Sequence, residues 1–124
     1  MKLRCSSGNI RIRVLRSDIA TLGQTGRIAE QIELPAGGSF GFSLSLAEGQ
    51  NQLGAAWDDG VLHITLPSGP ARDWMNSEQV GMEETFELSG GGKLSLLVEK
   101  DFPCQHQPGS NPGETFHELV PPNS

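Results

Sequence analysis

The chain has 124 residues, two cysteines and a formal net charge of −6, a size that suits one domain with a single core and no need of metal or disulfide support. The negative balance argues against binding duplex nucleic acid, because a negative field opposes the phosphate contacts on which such binding depends. No apolar run of about 18 residues occurs, so no membrane span is expected, and Met1-Lys2-Leu3-Arg4-Cys5 enters alternating pattern at once, so no export signal is expected; the expectation is a cytoplasmic protein whose Cys5 and Cys104 are reduced thiols.

Period-two alternation predicts strands at 2–5 and 9–14, then 27–34 and 39–46, then 53–57 and 61–66, and finally 80–88 and 93–100. Between the second and third strands a short helix is expected, with Ser17 as its cap, Asp18 favourable in its first turn, and Ile19 and Leu22 on one face. Asp59-Gly60 marks a tight hairpin, since both residues tolerate the positive φ such a turn requires. A second short helix follows the sixth strand, with Ser68 as cap, Pro70 early, and Ala71 and Trp74 turned to the core. Gly23, Gly26 and Gly81 are expected to end these elements. Past Phe102 the periodicity is lost among Pro, Gly, Asn and Ser, so residues 1–102 are expected to form the domain and 103–124 an irregular polar tail.

Laid over itself at an offset of 52, the chain matches Cys5 with Trp57, Ser6-Ser7-Gly8 with Asp58-Asp59-Gly60, Ile10 with Leu62, Ile12 with Ile64 and Leu22 with Trp74. At an offset of 54, Ile28 meets Met82, Glu30 meets Glu84, Gly37-Gly38 meets Gly91-Gly92, and Leu44 meets Val98. Matched glycine turns and matched glutamates point to two ββαββ repeats, at about 3–46 and 55–100. The expected fold is α+β: a mainly antiparallel eight-stranded sheet or open barrel with two short helices. Its apolar face would run from Leu3, Ile10, Ile12 and Val14 to Leu94, Leu96 and Val98, with Ile32, Leu34 and Leu88 included. Its polar face would carry Lys2, Arg4, Arg11 and Arg13 together with Glu33, Ser43, His63, Glu87 and Glu99.

Residues 1–27 hold six of the nine basic side chains against one acid, so this segment carries +5 and the remainder −11. Lys2, Arg4, Arg11 and Arg13 share one face of the first hairpin, where like charges repel across strands. Carboxylates of the chain, or an outside anion such as a phosphate ester or an acidic partner, are the two ways to offset that repulsion. Cys104, His106 and His117 are donors of the type zinc takes, joined by Glu118, yet their spacing matches no established finger and an ordinary polar tail is the simpler account. Glu30 and Glu84 have inward parity, which bulges or sheet-edge exposure explain more cheaply than paired acid–base chemistry. His63 is expected to be a hydrogen-bonded surface histidine. No serine elbow, phosphate loop, dinucleotide fingerprint or Cys-x-x-Cys pair is present.

Leu96-Leu97-Val98-Glu99-Lys100-Asp101-Phe102 with Cys104, the opening Gly8-Asn9-Ile10-Arg11-Ile12-Arg13, and Ser17 resemble a family of small bacterial proteins known only as a domain of unknown function. The resemblance spans roughly residues 1–104 and implies no activity; the tail, with His106 and Pro121-Pro122, departs from the acidic ending of that family. Read from its second strand, the element order also resembles triphosphate-tunnel hydrolases, whose barrels point charged side chains inward. Their Glu-x-Glu-x-Lys signature is absent here, cations standing in its place, and only Glu99 and Asp101 form an alternating acidic pair. Phosphoryl transfer needs carboxylates to hold a metal as well as cations to hold phosphate, so enzymatic activity is not the expectation. The expectation is a non-enzymatic binding or assembly module without a cofactor, engaging a protein partner or a small anion, with self-association open; the alternative is a small anion-binding or phosphate-processing protein.

Overall fold

The computed structural model describes residues 1–101. Eight strands and two α-helices follow in the order β1 (Lys2–Ser6), β2 (Asn9–Val14), α1 (Arg16–Thr25), β3 (Arg27–Glu33), β4 (Ser39–Ala47), β5 (Gly54–Asp58), β6 (Val61–Pro67), α2 (Ser68–Met75), β7 (Gly81–Glu87) and β8 (Lys93–Lys100). Each strand lies within a residue or so of where period-two alternation places it; the alternation shows in the burial of β2, β7 and β8, whereas β4 is buried on both sides over residues 41–44 and β5 is exposed along most of its length. No helix among the described residues is long and apolar enough to cross a membrane.

The strands do not make one antiparallel sheet or a barrel. They form two four-stranded mixed sheets, β1-β2-β8-β7 and β3-β4-β6-β5, with antiparallel outer pairs and parallel central pairs, β2 with β8 and β4 with β6. Alternation specifies which side of a strand is buried but not its neighbour or its direction, so this arrangement could not be read from the pattern. The helices decide it. A ten-residue α1 spans about 15 Å at about 1.5 Å per residue, enough to carry the chain from the first sheet to a second one packed about 10 Å away. α2 returns it. Each ββαββ segment therefore places its first hairpin in one sheet and its second in the other, and the described strands leave four free sheet edges: β1, β7, β3 and β5.

The registers of the two sheets correspond residue by residue. Ile10 faces Leu96 and Ile12 faces Val98 in the first sheet; at the same offsets Leu62 faces Phe42 and Ile64 faces Leu44 in the second. Leu3 faces Ile12 as Ala55 faces Ile64, and Ile28 faces Leu44 as Met82 faces Val98.

One core joins the inner faces of both sheets, with Ile12, Val14, Leu96 and Val98 from the first, Leu44, Ile64 and Leu66 from the second, and Leu22, Ala71 and Trp74 from the helices. Full burial of an indole requires a partner for its N–H, and Trp74 Nε1 donates to the Val80 carbonyl at 3.0 Å. Leu53, absent from the expected core, is buried as well. Away from the helices the sheets outrun their cover. Ile32 is 50 % and Trp57 61 % exposed, Leu34 and Leu88 are exposed too, and Trp57 rests on Phe40 with ring centroids 5.8 Å apart.

The helix starts differ from expectation. Leu15 and Pro67 hold the N-cap positions, and Ser17 and Ser68 lie inside the helices without capping through their side chains. At α1 the Asp18 carboxylate instead accepts the Leu15 backbone N–H at 2.8 Å, which supplies one half of a capping box. Of the three glycines expected at element ends, Gly26 alone closes a helix, at φ 81°; Gly23 lies within α1 and Gly81 opens β7. A Cβ on Gly81 would lie 2.7 Å from the Val98 carbonyl oxygen, so close strand approach is what requires glycine there. Asp59 and Gly60 take φ 50° and 77°, the turn expected of that pair.

Candidate functional site

The outer face of the first sheet is read most simply as rows running across its four strands. Pairing aligns Lys2, Arg13, Glu99 and Gly81 in one row, Arg4, Arg11, Leu97 and Glu83 in the next, and Ser6, Asn9, Ser95 and Thr85 in the third. Lys2, Arg4, Arg11 and Arg13 thus stand together, as alternation requires, and they point to solvent. The tunnel arrangement, with charges turned into a closed barrel, is not the one found. Glu33, Ser43 and His63, expected on this same face, belong to the second sheet and cannot reach it.

Two carboxylates neutralise part of the cluster. Glu99 accepts from Arg13 Nε at 2.7 Å and lies 3.8 Å from Arg11 Nε, while Asp101 takes Lys2 Nζ at 3.0 Å and lies 4.0 Å from Arg13 Nη1. These acids are only 14 % and 11 % exposed, so their contacts are better shielded than those of a typical surface pair. Asp101 reaches the cluster because its N–H donates to the Val14 carbonyl at 2.9 Å, which prolongs the pairing of β8 and keeps the outward parity of Glu99. The sequence signal for this was the alternating pair Glu99 and Asp101.

Arg4 is left over. It is exposed, it sits directly opposite Arg11, and among the described residues no carboxylate lies within 4.0 Å of it. Arg4, Ser6, Asn9 and Arg11 line a shallow recess of about 210 Å³. Two guanidinium groups with a hydroxyl and an amide beside them are donors suited to an oxyanion.

The second sheet offers a different chemistry at its outer face. Ser43 is fully buried, and its Oγ lies 3.0 Å from His63 Nδ1. A nucleophilic serine must meet its substrate; this one is sealed, and the half-buried His63 beside it satisfies its hydroxyl. A larger open cleft of about 780 Å³ lies where the helix ends meet the first sheet, with Val14, Leu15, Ile19 and Met75 as apolar lining and Arg16 and Lys100 among its charged residues. Nothing in the sequence pattern marked it, since its walls come from four separate elements.

Glu30 and Glu84 lie on the edge strands β3 and β7, in unbroken register. Glu30 has a structural role, because together with Asp18 it holds the Met1 ammonium, at 2.6 and 3.1 Å. Partial burial opposes the ammonium charge, yet the two carboxylates outweigh it and raise the amine above its ordinary value of 8.0. Cys5 is an exposed free thiol. Cys104, His106 and His117 lie outside the described residues; among those described, no group of three His, Cys, Asp or Glu side chains is gathered as a metal would need.

No curated protein and no solved structure matches the chain. A family model described as "Family of unknown function (DUF7009)" matches residues 1–118. With nearly its whole length inside that match, from the basic hairpin through β8, the chain belongs to this family of unknown function.

Proposed function

We propose that this protein is a non-enzymatic binding or assembly module, bacterial and cytoplasmic, whose working surface is the outer face of the first sheet. The contact it makes is with an anionic group seated between Arg4 and Arg11. One observation carries this: of four cations on the hairpin, Lys2 and Arg13 are matched by Asp101 and Glu99 at 3.0 and 2.7 Å, while Arg4 stands against Arg11 without a carboxylate of its own. Directly opposed like charges are unfavourable across a strand pair, and a bound anion relieves that. The corresponding positions of the second sheet, Ala56 and His63, lack the pair of arginines, so the backbone does not demand them. The matched registers of the two sheets support a chain built from two copies of one ββαββ unit, in which one copy has acquired the charged surface.

The test is thermal stability with added phosphate and tripolyphosphate. Wild-type protein is expected to melt at higher temperature with the anion, and Arg4→Ser with Arg11→Ser is expected to lose that response while keeping its fold by circular dichroism. Equal responses in both proteins would remove the assignment.

A further inference from the structure

We infer that the outer face of the first sheet is a self-complementary interface, and that the anionic group received by Arg4 is the Glu83 carboxylate of a second copy of this chain. This rests on the anion-binding reading of Arg4 and Arg11 and names its partner.

The middle row runs Arg4, Arg11, Leu97, Glu83. Its two ends carry opposite charges, both exposed, and among the described residues neither has an oppositely charged group within 4.0 Å. Within one molecule they cannot meet, because three strand spacings of about 4.8 Å hold them about 14 Å apart. A second copy packed face to face, related by a two-fold axis lying between the faces and parallel to the strands, presents the same row reversed. Arg4 then faces Glu83 of the other copy, at both ends of the row, and Arg11 faces the half-buried Leu97, whose methyl groups can lie along the arginine stem.

The flanking rows tolerate the same operation. Arg13 faces Glu99 and Lys2 faces Gly81; on the other side Ser6 faces Thr85 and Asn9 faces Ser95. No like charges are brought together. A two-fold contact of this kind is isologous, each patch meeting its own copy, and a row with cations at one end and an acid at the other suits that symmetry. The patch is about four strands wide, some 20 Å on a side or about 400 Å² per partner, which is smaller than a stable interface and in the range of weak, transient ones. The dimer is therefore expected to be of micromolar strength and weakened by salt, since its end contacts are exposed ion pairs.

Sedimentation equilibrium tests this, reaching about 1 mM protein and using Arg4→Glu, Glu83→Arg and their equimolar mixture. Wild-type protein is expected to dimerise, and each single variant to associate at least about tenfold more weakly, because each homodimer then carries two like-charge contacts. Mixing the two variants should restore the dimer, since the heterodimer has opposite charges at both contacts; that recovery also shows both variants to be folded. A wild-type protein that stays monomeric, a dimer indifferent to either reversal, or a loss that mixing does not repair would each overturn the interface. The anion reading is checked separately on Glu83→Arg, whose arginine pair is intact. Stabilisation of that variant by tripolyphosphate with a monomeric wild type would leave the anion site standing and remove the second copy as its partner, whereas no stabilisation would remove both.

Discussion

The outer faces of the two sheets share one backbone plan and almost nothing else. On the first sheet, β2 presents Arg11 and Arg13, β8 presents Glu99, and β7 presents Glu83 and Glu87. At corresponding places the second sheet has His63 and Thr65 on β6, Ser45 on β4, and Ala29 and Glu33 on β3. The inner faces, by contrast, keep matching apolar residues in matching register. The core therefore accounts for what the halves share, and charge placed on one outer face is a property that the fold permits without needing.

The largest effect should come from what both sheets hold in common. Trp74→Ala removes a fully buried indole and its hydrogen bond and is expected to cost about 3–5 kcal/mol. Probes in either sheet should lose signal in one urea transition. Separate transitions would mean that the two sheets do not share a cooperative core.

Next in size is the lesion confined to the charged face. Glu99→Ala strips the shielded partner from Arg13 and Arg11 and should cost about 1–3 kcal/mol, whereas its counterpart Ser45→Ala should change stability by less than about 0.5 kcal/mol. Urea midpoints at neutral pH measure both. Similar costs would show the ion cluster to be ornamental.

Smaller still is the conversion of the first face toward the second. Arg4→Ala with Arg11→His, the residues at corresponding places in the second sheet, removes a like-charge opposition. Stability should stay within about 0.5 kcal/mol of wild type, while stabilisation by tripolyphosphate disappears at pH 8, where an ordinary histidine is largely neutral. A large destabilisation would make the arginines structural.

The smallest effect concerns Met1, whose side chain is buried as is that of its counterpart, Leu53. Burial alone would favour a neutral amine at Met1, but Glu30 and Asp18 hold it as an ammonium and raise its folded value above 8.0. The folded state thus binds this proton more tightly than the unfolded one. Its contribution is full below about pH 8 and fades as pH rises through the higher folded value. Thermal melts from about pH 7 to pH 10 should show wild-type protein losing stability over this window more than Glu30→Gln does. Parallel curves would mean that the amine adds nothing.

Strands, the Asp59-Gly60 turn, and the inward aim of Leu22 and Trp74 were legible in sequence because each is a local consequence of periodicity or of backbone freedom. Strand partnership was not, since β2 finds β8 through the paths of two helices and no local feature encodes them. The same gap explains the charges. Glu33 had the right parity to neutralise the basic hairpin but stands on the other sheet, whereas Asp101, just past the last strand, supplies the contact. The co-location of Lys2, Arg4, Arg11 and Arg13 was legible because a single hairpin contains them; that two of them would be answered internally and Arg4 left open depended on β8.

The parallel pairing of β2 with β8 also orders events in time. The second sheet draws on a continuous stretch, β3 through β6, and has all its strands once residue 67 has been made. The first sheet must wait, because Arg13 and Glu99 are 86 positions apart and its second central strand is the last of the eight. A chain emerging from the ribosome thus exposes the inner edge of β2 through most of synthesis. Contacts of such long separation slow folding, and the cations on that waiting hairpin are of the kind that discourages edge-to-edge association. The residues that give the finished face its charge are thus placed to guard an unfinished sheet first, and their neutralisation by Glu99 and Asp101 marks the moment when the molecule closes.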